Sequence, residues 1–154
     1  MQRARTPRLA HTAPLAATVL LLASGLALWS AGNADTGETA TALLDTGKTV
    51  LGQTFSYPTK APAKVTSDII AMAPGAETGW HKHEVPLFGY MLEGELTVDY
   101  GADGTRVYRK GDAFVEAVGT PHNGRNSGSG EVRILAVFMG ADGVPDTVNL
   151  PPSQ

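Results

Sequence analysis

The sequence predicts an all-β protein built as a small jelly-roll barrel, and three observations predict it. Short extended runs alternate with turn residues along most of the chain, which carries 18 glycines and 10 prolines in 154 residues. Leu96, Val98 and Tyr100 alternate with Thr97 and Asp99, the period of a half-buried strand. No window beyond residue 34 carries a helical stripe. A β-sandwich without a cavity is the structural alternative, and the placement of the histidines argues against it.

Taken in order, the chain opens with Arg3, Arg5 and Arg8 and no acidic residue before Asp35. An apolar run over residues 13–29 follows, then the small residues Ser30, Ala31, Gly32 and Ala34 around Asn33. Basic start, short apolar run and small-residue exit describe a secretory signal peptide over residues 1–34, with cleavage expected after Ala34. The competing reading is an uncleaved membrane anchor; the run sits at the low edge of a span, and Pro14 and Gly25 weaken it. Export to the periplasm or beyond the cell is the expected location, with membrane contact only if the segment stays attached.

Removing residues 1–34 takes three of the 12 basic residues and none of the 15 acidic ones, leaving a net charge of −6. No basic patch is present, so nucleic acid is not an expected partner. The absence of cysteine excludes disulfides, cysteine nucleophiles and thiolate-bound zinc. Residues 35–45 read as a flexible lead, 46–142 as the barrel domain and 143–154 as a C-terminal tail. Residues 42–49 resemble the end of a phosphate-binding loop, but the first glycine is missing and the stretch is read as a turn entering a strand. Extended runs are expected over residues 49–57, 65–72, 87–92, 95–100, 105–109, 113–118 and 132–139.

Of four histidines, His11 falls in the expected signal segment and the other three fall in two stretches of the mature chain. His81 and His83 are two apart, so on a strand they project from one face. Two imidazoles in one space propose a transition metal. His122 follows after turns at Gly94 and Gly101–Gly104, antiparallel traffic that can return it to the pair. Phe88, Met91, Phe114 and Phe138 are candidate walls of a pocket there. Glu116 is a candidate base or hydrogen-bond partner of a ligand imidazole, weighed against an ordinary outward-facing strand residue. Tyr90 and Tyr108 are candidate donors to a substrate, and Arg125 and Arg133 candidate anion attractors at the rim.

Residues 75–94 resemble the first cupin motif, in which Gly75, His81, His83 and Gly94 fill their positions. Residues 111–126 resemble the second, with Gly111, Gly119, His122 and Asn126 in register and Ala117 where proline is usual. The resemblance implies a double-stranded β-helix and a divalent metal, Fe, Zn, Mn or Ni, held by His81, His83 and His122. The carboxylate ligand of the family is missing: Leu87 and Phe88 stand where it belongs, and Glu84 has the wrong strand parity. Three neutral imidazoles leave the ion's charge uncompensated and favour an anionic ligand or hydroxide. Some cupins, thiol dioxygenases among them, use three histidines, and others have lost the metal. The resemblance also implies a homodimer and a small-molecule ligand or substrate. An exported metal-binding cupin is the expected function; a dioxygenase-type or isomerase-type enzyme and a metal-free ligand-binding barrel are the alternatives.

Overall fold

The computed structural model describes residues 37–151; the expected signal segment lies outside them. Nine strands follow in order: β1 (Ala63–Met72), β2 (His81–His83), β3 (Leu87–Glu93), β4 (Glu95–Asp99), β5 (Thr105–Arg109), β6 (Ala113–Val115), β7 (Asn123–Asn126), β8 (Val132–Ala141) and β9 (Thr147–Asn149). A single 3-10 turn at Gly101–Asp103 interrupts them, and the described residues contain no α-helix. No helix among them is long and apolar enough to cross a membrane. The all-β jelly roll is therefore what the chain forms.

The strands make a four-stranded sheet ordered β1-β8-β3-β6, a three-stranded sheet ordered β5-β4-β7, and the pair β2-β9. Every strand pairing is antiparallel. Period-2 alternation turns one side of each sheet inward. Met91, Val132 and Ile134 of the first sheet share a core cluster with Leu96 and Val98 of the second and with Tyr100 just beyond β4, and Phe114 and Tyr108 belong to it too. A second cluster of Val85, Leu87, Ala136 and Phe138 lies beside it. The β3-to-β4 connection needs Gly94: its φ is +82°, and a Cβ there would stand 2.6 Å from the Glu131 carbonyl oxygen.

Several stretches differ from the sequence-based expectation, β7 among them, since no extended run is expected over residues 123–126. Residues 49–57 form no strand, only an isolated bridge between Lys48 and Thr54. Gly52, at φ +78°, folds the chain back so that Thr49 N–H donates to Gln53 O and Gly52 N–H to Thr49 O, both at 2.9 Å. The run at 113–118 is a strand only as far as Val115. In the stretch read as a C-terminal tail, Thr147–Asn149 forms β9 and pairs along the whole of β2.

Candidate metal centre

His81 and His83 lie at the two ends of β2, both buried, with Lys82 between them turned outward to pair with Glu84 at 2.7 Å. β2 is held on both sides. β9 flanks it on one, and on the other His81 and His122 exchange backbone hydrogen bonds at 3.0 and 2.8 Å while Gly119 N–H donates to His83 O at 2.8 Å. The three rings thus converge, with centroids 4.3 to 5.0 Å apart. One ligand atom from each lies within 4.8 Å of the others, a cluster that can hold a metal ion.

Each ring's Nδ1 is already engaged. His81 Nδ1 lies 2.8 Å from Gly79 O, and His122 Nδ1 lies 2.9 Å from Thr120 O. His83 Nδ1 meets Asp146 O at 3.2 Å and Thr147 Oγ1 at 3.1 Å. A carbonyl only accepts, so each Nδ1 carries the proton and each Nε2 keeps its lone pair. This is the outer support that ligand histidines use, supplied here by backbone rather than by a carboxylate. Burial lowers the pKa of all three rings. For His83 it acts together with His122 and His81 and brings the value down to about 3. At His81 burial outweighs the opposing Gly79 bond, and at His122 the opposing Thr120 bond. All three imidazoles are neutral at pH 7, as metal ligands must be.

A residue that the sequence did not single out clamps the loop before His122. Gln53 donates through Nε2 to Val118 O at 3.2 Å and to Thr120 Oγ1 at 3.1 Å, and its Oε1 accepts from Val118 N–H at 3.2 Å. Asn126 closes the following turn. It is 1% exposed, donates to Met72 O and Gly130 O at 2.8 Å each, and accepts from Gly128 N–H at 3.0 Å.

The imidazoles open onto a cavity of about 200 Å³ whose walls include Leu87, Phe114, Ile134, Ala136 and Phe138. Phe114 and Phe138 are where the sequence placed them. Met91 is core instead, and Phe88 faces the other side of β3, opposite the strand parity of Leu87. Leu87, in the place of the family carboxylate, makes that wall apolar. No lysine or arginine lines the cavity: Arg125 and Arg133 are exposed and pair with Glu77 and Glu131.

Glu116 does not face outward. It is 4% exposed and lines the cavity, although it falls outside the three-histidine cluster. It does not support a ligand ring: the Nδ1 atoms go to Gly79, Thr120, Asp146 and Thr147. Its Oε1 instead accepts from Tyr100 Oη and from Ala117 N–H, both at 2.7 Å. Tyr100 has one proton to give, so Tyr108 Oη donates to Tyr100 Oη at 3.1 Å. Burial pushes Glu116 up from its ordinary value, against the Tyr100 and Ala117 bonds. Burial also raises Tyr100, with the Glu116 charge adding to it, and lifts Tyr108 to about 12. Tyr108, proposed as a substrate donor, is committed to Tyr100, and Tyr90 is absent from the cavity lining. Tyr100 is the polar residue the sequence missed; its parity with Leu96 and Val98 already turned it inward.

Residues 68–138 match the family model described as the cupin domain. No curated protein matches the chain. Similar solved structures include the formate complex of Lactobacillus farciminis oxalate decarboxylase, at 22% identity and a TM-score of 0.49 over 56% of this chain and 26% of that one. Bacillus subtilis oxalate decarboxylase, an enzyme with Mn(II) centres, aligns at 23% identity and a TM-score of 0.47 over 56% of this chain and 24% of that one. The chain therefore spans about a quarter of the length of these enzymes. The jelly roll and both histidine motifs agree with the similarity of residues 68–138 to the cupin domain.

Proposed function

We propose that the protein holds one divalent transition-metal ion on His81, His83 and His122 and binds a small molecule in the adjoining cavity. The observation that carries this reading is the fixed tautomer of all three rings, which leaves Nε2 of each free to ligate within a cluster whose ligand atoms lie within 4.8 Å of one another. Imidazole donors suit iron, zinc, manganese or nickel. Such an ion, when bound, supplies a Lewis acid with open positions and the only positive charge in the cavity. The chain does the rest. Leu87, Phe114 and Phe138 exclude water, and the backbone carbonyls of Gly79, Thr120 and Asp146 hold the rings.

Glu116 favours a second reading, an enzyme of the oxygenase or isomerase type. A buried carboxyl in the same cavity is the proton-handling group that simple metal capture does not need. Elemental analysis separates the outcomes, using protein purified without a metal-binding tag and then reloaded with each metal in turn. Near-stoichiometric metal that His122→Ala reduces on the order of a hundredfold in affinity supports the reading. No metal after reloading overturns it and leaves a ligand-binding barrel.

The same proposal includes export, on the strength of Arg3, Arg5, Arg8 and the apolar run that follows. It also includes a homodimer. Val65 and Ile69, 68% and 50% exposed, stand on one face of the edge strand β1 as an apolar stripe that a second copy would cover.

A further inference from the structure

The cavity carries a second recognition group besides the three imidazoles. Glu116 has two oxygens in unlike settings. Oε1 accepts both available donors, Tyr100 Oη and Ala117 N–H. Oε2 has no protein partner, yet among the described residues the only buried side-chain polar atom left unpaired is Thr66 Oγ1. Oε2 is therefore open to the cavity that Glu116 lines. The Tyr108–Tyr100–Glu116 chain of hydrogen bonds fixes the carboxyl so that this oxygen cannot turn away.

Three features limit what can sit between Oε2 and the imidazoles. The cavity, about 200 Å³, is smaller than the roughly 300–1,000 Å³ of sites for drug-sized ligands, so the ligand is of single-ring size. Apart from Thr78, Thr147 and Asn149, its remaining walls are leucine, isoleucine, valine, alanine, glycine and phenylalanine, so the body of the ligand is mostly apolar. With no lysine or arginine in the lining, a second anionic group on the ligand would meet Glu116 with nothing to neutralise it. The group facing Oε2 is therefore uncharged. With both local donors spent on Oε1, any proton on the carboxyl resides on Oε2. A hydroxyl both donates and accepts, so it pairs with Oε2 in either state.

We propose that Glu116 is a ligand-binding residue, with Tyr100 and Tyr108 as positioning residues, and that it selects single-ring ligands bearing a hydroxyl opposite their metal-binding group. This rests on the metal reading above. The test is calorimetric and NMR titration of the full chain, metal-loaded, with benzoate and its 2-, 3- and 4-hydroxy and methoxy derivatives. One hydroxybenzoate is expected to bind about tenfold tighter than benzoate, the effect of one hydrogen bond to a buried carboxyl. Glu116→Leu is expected to bring that preference within twofold at unchanged metal content. Should the leucine variant fail to fold, Glu116→Gln decides: its amide donates to an ether oxygen as readily as to a hydroxyl, so the methoxy analogue gains on the hydroxy one. Equal binding of benzoate and all hydroxybenzoates, no binding by any of them, or a preference unchanged in the variants overturns the proposal. Metal content, measured on every sample, keeps the two readings apart. A wild-type protein without metal sinks the metal reading, while the hydroxyl preference is still read by NMR.

Discussion

Gly89 lies directly under the ring of Phe114: a Cβ built on Gly89 would stand 2.5 Å from Phe114 Cζ. The ring occupies the space a side chain would take, and it also stacks on Tyr108, with centroids 4.1 Å apart. Gly89→Ala is therefore expected to push Phe114 off its seat and into the cavity. Overpacking of this kind costs about 1–3 kcal/mol. Urea unfolding checks the loss, and ligand titration checks whether the cavity shrinks with it.

Gln53→Leu removes three hydrogen bonds to residues 118–120 and none to the three clustered histidines themselves. The variant should remain folded, with metal affinity about tenfold lower, the scale seen when an outer support of a ligand is lost. A chelator competition measures this, and an unchanged affinity would show that the His122 loop holds its shape alone.

The metal-free protein should lose stability in mild acid. Each of the three imidazoles has its pKa lowered by folding, so the unfolded chain binds protons first. The stability tied to these rings is complete above about pH 6.5 and falls as pH drops from there toward about 3, the value for His83. Glu116 works in the opposite sense. Raised by folding, it favours the fold below its ordinary 4.5 and loses that as pH rises, so it softens the slope of three rings without reversing it. Melting temperatures from pH 7.5 to 4.5 test this, and a flat profile contradicts it.

Val65→Lys with Ile69→Lys should convert the proposed dimer to monomer without touching the core, since both side chains are exposed on β1. Light scattering after size exclusion reads the mass. A doubly substituted protein of unchanged mass would place the contact elsewhere, or show that the wild type is already monomeric.

The fold and the clustering of the three histidines were legible because they rest on strong local signals. His81 and His83 share parity on a strand of three residues, and His122 follows a glycine turn at a fixed spacing. The walls were harder. Phe88, Tyr90 and half-buried Leu92 make the outward face of β3 as apolar as its inward face, so hydrophobicity does not tell Phe88 from Leu87. The side of Glu116 was illegible for another reason: β6 ends at Val115, and beyond a strand end the period of two carries no information. β9 is three residues, Thr-Val-Asn, with no alternation to recognise. Gln53 acts across 65 and 67 residues of chain, a relation that no local pattern records.

The ring of His83 is oriented by Asp146 and Thr147, partners 63 and 64 residues further along. The β4–β5 hairpin closes over a handful of residues, whereas this contact requires that most of the domain be threaded first. The three-histidine cluster is therefore among the last parts of the molecule to come together. An ion arriving early would find only a loose pair of histidines on a short strand. The centre is a product of the finished barrel and not its template, so metal supply should govern how much protein is loaded without governing how much of it folds.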